Sequence, residues 1–220
     1  MIKKALLTAG LCLTALSASA ESVDGQIYAL YDASGNQTGS TVDHLRFTVG
    51  TDGIIKIDTL SWESDPITDA PTDVNGDGEI AFLDTYLYLF RDDGSLDSAD
   101  YITQNDDSDG TYADGSIWRT DSYLELNLAA GNYLLAIGAY DLGIDEAIKR
   151  ENQDIFYPIR CDLAGPDCAS TARSSDHGDY RVSFSSNVSL PGDGKLPEPA
   201  ALGLIGLGLA GFAFWRRKKA

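Results

Sequence analysis

Apolar residues between Glu21 and Leu190 recur in short runs separated by turn formers, and in several runs apolar and polar positions alternate strictly. The runs are Gln26–Tyr31, Val42–Val49, Ile54–Leu60, Thr85–Phe90, Tyr123–Leu128, Asn132–Ala139 and Asp179–Ser185. Alternation puts one face of a strand in the core and the other in water. In the last run Arg181, Ser183 and Ser185 interleave with Tyr180, Val182 and Phe184. Residues 86–90 and 133–137 are apolar on both faces and belong at the centre of a sheet. Ser34-Gly35-Asn36, Thr51-Asp52-Gly53, Asp93-Gly94 and Ala130-Gly131 supply turns between neighbours. Asp145–Lys149 reads as a short helix with acids in its first turn, inside a long insertion from Asp141 to Gly178. Many short strands with almost no helical periodicity predict an all-β protein, a single antiparallel sandwich or barrel.

The two ends have a different pattern. Lys3 and Lys4 precede an uncharged core from Ala5 to Leu16, and Ala18-Ser19-Ala20 offers small side chains at the right place for a signal peptidase. This predicts a signal peptide over residues 1–20, with Ala18 and Ala20 as its cleavage signature. At the other end Ala200–Trp215 is free of charge and, as a helix, rises about 24 Å, a short inner-membrane span. Arg216, Arg217, Lys218 and Lys219 place the 216–220 tip on the cytoplasmic side. Residues 21–190 are then the exterior domain and 191–199 a Pro/Gly linker.

Pro197-Glu198-Pro199, the apolar helix and Arg216-Arg217 with the two lysines, in that order, resemble the PEP-CTERM sorting signal. The resemblance implies recognition and removal of the tail by an exosortase, an inner-membrane intermediate, and a final place at the cell surface or in the extracellular matrix of a Gram-negative bacterium.

Charge sharpens the picture of the body. Residues 21–190 hold 9 Lys/Arg against 32 Asp/Glu, a formal charge of −23, whereas the whole chain carries −18 because its ends are basic. Such a surface repels nucleic acid and attracts divalent cations. The tyrosines, tryptophans and β-branched runs argue against disorder. With Cys12 in the signal segment, Cys161 and Cys168 are the two remaining cysteines, and in an oxidising compartment they read as a disulfide closing a small loop.

A second resemblance covers about residues 84–140. Asp84-Thr-Tyr-Leu-Tyr-Leu-Phe90, Asp93-Gly94, Asn105-Asp-Asp-Ser108, Asp121-Ser-Tyr-Leu-Glu-Leu126 and Ala130–Ala139 occur in the order seen in the pre-peptidase C-terminal domain. That resemblance implies a small jelly-roll-like sandwich with an accessory binding role, often with calcium, rather than catalysis.

Candidate chemistry centres on Asp73-Val-Asn-Gly-Asp-Gly-Glu-Ile-Ala-Phe-Leu-Asp84. Asp73, Asn75, Asp77 and Asp84 stand at positions 1, 3, 5 and 12 of an EF-hand loop, Gly78 at the sharp turn, and Glu79 where a backbone carbonyl ligates Ca2+. The run is similar to the calcium loop of dockerin modules. Asp65-Pro66 and Ala70-Pro71 leave no room for an entering helix, so an acidic turn feeding the Thr85 strand is the competing reading. Asn105–Gly110 with Asp114 fits Asx-turn chemistry better than a second cation site.

Catalysis finds little support: His44 lies in a strand, His177 in a loop, and neither a G-x-S-x-G elbow nor an H-E-x-x-H pair is present. The expectation is a non-catalytic, calcium-stabilised envelope or matrix protein processed by signal peptidase and exosortase. Its alternative is a carbohydrate-binding module of the extracellular polysaccharide, with Trp62, Tyr112 and Trp118 as a stacking platform. A secreted acidic-site hydrolase stands third.

Overall fold

The computed structural model describes residues 21–61, 63–64, 71–108, 120–154, 159–161 and 173–191. The signal segment with Ala18 and Ala20, the platform residues Trp62, Tyr112 and Trp118, Cys168, the motif residues Pro197, Glu198, Pro199, Arg216 and Arg217, and the span 200–215 lie outside them.

In chain order the strands are β1 (Glu21–Tyr31), β2 (Gln37–Thr41), β3 (Asp43–Val49), β4 (Gly53–Leu60), β5 (Glu63–Ser64), β6 (Pro71–Thr72), β7 (Ile80–Ala81) and β8 (Thr85–Arg91). They continue as β9 (Tyr101–Asn105), β10 (Tyr123–Leu128), β11 (Gly131–Ala139), β12 (Glu151–Asn152), β13 (Ile159–Cys161), β14 (Arg173–Ser174), β15 (His177–Phe184) and β16 (Val188–Ser189). A 3₁₀ turn (Ser98–Asp100) precedes β9, and α1 (Ile144–Lys149) follows β11. All these elements fall within Met1–Ser189.

Two antiparallel sheets form a sandwich. One runs β10-β4-β15-β1-β2-β12, the other β16-β3-β11-β8-β9. The period-2 pattern decides what lies between them. Ile27, Phe47, Ile55, Ile57, Leu87, Leu89, Leu135, Val182 and Phe184 are almost fully buried. Phe47 of β3 meets Phe184 of β15 across the two sheets, ring centroids 5.3 Å apart, and stacks on Tyr133 at 5.5 Å.

The two-faced apolar strands β8 and β11 are central, as their composition requires. Their second face carries a smaller core of Val42, Tyr86, Tyr88, Phe90, Leu134 and Ala136, closed by Leu142 and by Ala147 of α1. Tyr88 stands opposite Ala136 and Tyr86 opposite Gly138, so each ring has a small neighbour to lie over. His44, on β3 as expected, points Nε2 at the Ala147 carbonyl of α1, 2.7 Å away. Burial, its largest influence, holds that imidazole below its ordinary pKa.

A polar seam crosses the sandwich where β4, β8 and the entry to β10 meet. The Thr59 and Thr85 hydroxyls are 2.8 Å apart, Ser122 N donates to both, and Ser122 Oγ donates to the Thr85 carbonyl at 2.6 Å. Thr59, Thr85 and Ser122 are wholly buried. Asp121 Oδ1 accepts Ser61 N, and Ser61 Oγ accepts Leu83 N. The Asp84-Thr85 and Asp121-Ser122 pairs of the sequence are therefore largely a structural staple.

Each of the seven runs forms a strand, and the helix appears at Ile144–Lys149. Four details differ from expectation. β2 (Gln-Thr-Gly-Ser-Thr) and β9 were not marked by apolar alternation; β2 is held by its neighbours β1 and β12, and β9 is a sheet edge. Ala130-Gly131 does not join hairpin neighbours, because β10 and β11 lie in different sheets. His177 is not in a loop: it opens β15, opposite Tyr28. The insertion is not structureless either, since β12, β13 and β14 lie within it.

Candidate metal centre

The site lies on the outer face of the six-stranded sheet. Side chains of a strand alternate between faces, so with Tyr180, Val182 and Phe184 of β15 turned inward, His177 and Asp179 share the outer face. Register sets β1 against them: Gln26 opposite Asp179 and Tyr28 opposite His177. Over this block comes the 73–79 turn, followed by β7, whose Ala81 N donates to Asp179 Oδ2 at 3.1 Å.

The turn is built by its own polar side chains. Asp73 accepts Gly76 N at 2.6 Å and Gly78 N at 2.9 Å, Asn75 accepts Asp77 N at 3.1 Å, and Asp77 Oδ1 accepts Glu79 N at 3.0 Å. Gly76 and Gly78 have φ of +78° and +99°, the left-handed region where a Cβ is strained. Asx chemistry and two glycines thus curl the segment into a loop that carries Asp77 over Gln26 and Asp179.

Asp77, His177 and Asp179 each bring one ligand atom within 4.8 Å of the others, a group able to hold a metal ion. Asp179 is 2 % exposed. Gln26 Nε2 lies between the two carboxylates, donating to Asp77 Oδ2 at 2.7 Å and to Asp179 Oδ1 at 3.1 Å; the Tyr28 hydroxyl donates to Gln26 Oε1. His177 Nε2 is 2.6 Å from Glu79 Oε1 and 3.6 Å from Asp179 Oδ1, while Nδ1 is 2.8 Å from Asp176 Oδ1.

Electrostatics follow from this crowding. Burial, aided by the charge of Asp77, pushes the Asp179 carboxyl up to about 6 against the opposing pull of Gln26, His177 and Ala81 N. Burial works against a charged His177. The Asp176 hydrogen bond and the charges of Asp179, Glu79 and Asp176 together outweigh it, so that imidazole lies above its ordinary value.

Of the residues expected to ligate, the structure brings Asp77 to this group, sets the Glu79 carboxylate against His177 Nε2 alone, and keeps Asp73 and Asn75 in the same turn. Asp84 goes elsewhere. It sits just before β8, pushed up to about 6 by burial and then by Asp107 and Asp106, with Oδ1 buried and lacking a hydrogen-bond partner among the described residues. Two members of the group, His177 and Asp179, escaped sequence reasoning. The signal that would have found them is the H-x-D spacing, which puts both on one face of a strand. Cys161 lies on β13 opposite Ile80.

A model of the PEP-CTERM protein-sorting motif matches residues 196–218. The chain carries a PEP-CTERM sorting motif. Such a motif marks an exported protein for processing by an exosortase and delivery to the cell surface. No curated protein matches the chain. Among solved structures it is similar to the pre-peptidase C-terminal domain of a collagenase from Bacillus anthracis, with 14 % identity, a TM-score of 0.33, and coverage of 76 % of this chain and 89 % of that one.

Proposed function

We propose that the PEP-CTERM chain is a non-catalytic component of the Gram-negative envelope or extracellular matrix. A signal peptidase releases it after Ala20, the 200–215 span holds it in the inner membrane with Arg216 and Arg217 inside, and an exosortase acting at Pro197-Glu198-Pro199 frees the sandwich. The match of residues 196–218 to the sorting motif carries this reading. Its acidic surface faces a matrix rich in polysaccharide and divalent cations.

Calcium is the ion proposed for the 73–79 turn. Asp73, Asn75 and Asp77 give side-chain oxygens and Glu79 a carbonyl, as the sequence spacing suggests.

Replacing Pro197, Glu198 and Pro199 with alanine tests the sorting step. Full-length protein should accumulate in the inner membrane of a host that has the exosortase. Unchanged release into the medium would mean that the tail is only an anchor.

A further inference from the structure

Deepening the cation reading above, we infer that Asp77, His177 and Asp179 form a site for a zinc-class divalent ion, separable from the calcium loop with which it shares Asp77. Calcium takes oxygen ligands, whereas an imidazole nitrogen among carboxylates suits zinc, cobalt and their neighbours. An imidazole at the centre of the group is therefore unexplained by calcium.

The placement of that imidazole is the second observation. Asp176 Oδ1, 2.8 Å from Nδ1, accepts a hydrogen bond from Nδ1–H and so leaves Nε2 facing the group. A carboxylate holding the far nitrogen of a ligating histidine is the usual outer support of a metal site: it fixes the tautomer and raises ligand basicity. The Tyr28 ring, 5.4 Å away centroid to centroid, packs against His177 and limits its rotation. Nε2 itself is shut off from solvent and makes no regular hydrogen bond, although Glu79 Oε1 and Asp179 Oδ1 face it at 2.6 and 3.6 Å. A neutral imidazole would set its lone pair against two carboxylates; a proton on Nε2, pairing with Glu79, or a metal ion at that point relieves this, and only the metal ion also draws in Asp77.

The carboxylates show the same need. Asp179 Oδ2 is anchored by Ala81 N, leaving Oδ1 for the ion. The Gln26 amide nitrogen, donating to Asp77 and Asp179 together, occupies the place of a positive charge, and the ion displaces it. Asp73 and Asn75 lie outside this group and brace the turn that carries Asp77.

Untagged protein, purified as its host exports it and stripped with chelator, should bind one equivalent of Co2+ with the visible absorption of a four-coordinate site, and Zn2+ should displace it. His177→Gln should abolish that absorption while the calcium-dependent rise in melting temperature persists. Asp73→Ala should show the reverse. Asp176→Asn should weaken cobalt binding by about 10–100-fold. A chain that binds cobalt but ignores calcium would overturn the calcium loop and leave this site standing. His177→Gln binding cobalt as tightly as the parent would overturn the site. Should that variant fail to fold, the ring ¹⁵N resonances of the parent decide: zinc must move Nε2 of His177 and not that of His44, and an unmoved His177 refutes the assignment.

Discussion

One oxygen of Asp84 is buried without a donor among the described residues, and the carboxylates of Asp107 and Asp106 stand near it. The folded pKa of about 6 lies above the ordinary 3.8, so the group's contribution favours folding most at low pH. That contribution is lost as pH rises from about 4 through 6. Asp84→Asn keeps the shape and removes the charge. In chelator it should leave stability nearly unchanged at pH 4 and raise it by about 1–2 kcal/mol at pH 7.5, after discounting for partial exposure. Urea unfolding at the two pH values checks this, and a difference independent of pH would contradict it; the body's overall charge cancels between the two proteins. The turn residues Asp73, Asn75, Gly76, Asp77 and Gly78 were legible because each acts within its own segment. Asp179 and His177 were not, because their meeting with Asp77 depends on the β1–β15 register and on β7 crossing that face, neither of which is written in local spacing.

Strand by strand, apolar alternation located the sandwich because burial on one face leaves a period of two. It failed where pairing partners, not side chains, hold the backbone, as in β2 and β9. The all-β class was therefore readable, but the exit of β10 into a different sheet from β11 was not, since a short turn says nothing about which sheet receives the next strand. The Thr59–Thr85–Ser122 seam shows the same limit: its residues look like ordinary strand-end polar residues until three elements bring them together. Ser122→Ala removes the hydroxyl donor to the Thr85 and Asn105 carbonyls, the first wholly buried. It should cost about 2 kcal/mol, because a buried acceptor is left unsatisfied. The urea midpoint should fall with an unchanged slope; a loss under 0.5 kcal/mol would show that the seam contributes little.

On the scale of the molecule, three features belong together: a sorting motif that sends the chain to the surface, a body carrying −23, and a turn that brings Asp77 to His177 and Asp179 on the outer face of a sheet. Acidic groups this concentrated repel one another, and an ion bound only in the folded state relieves that repulsion where it is greatest. Melting in increasing calcium at constant ionic strength, for the parent and for Asp73→Ala with Asp77→Ala, tests this most directly. At a hundredfold excess over Kd the parent should gain about 2.7 kcal/mol, a rise of about 5–10 °C for a domain of this size. The double variant should show no calcium-dependent rise. Identical calcium responses from the two proteins would reduce the turn to a turn and leave the sandwich without its cation.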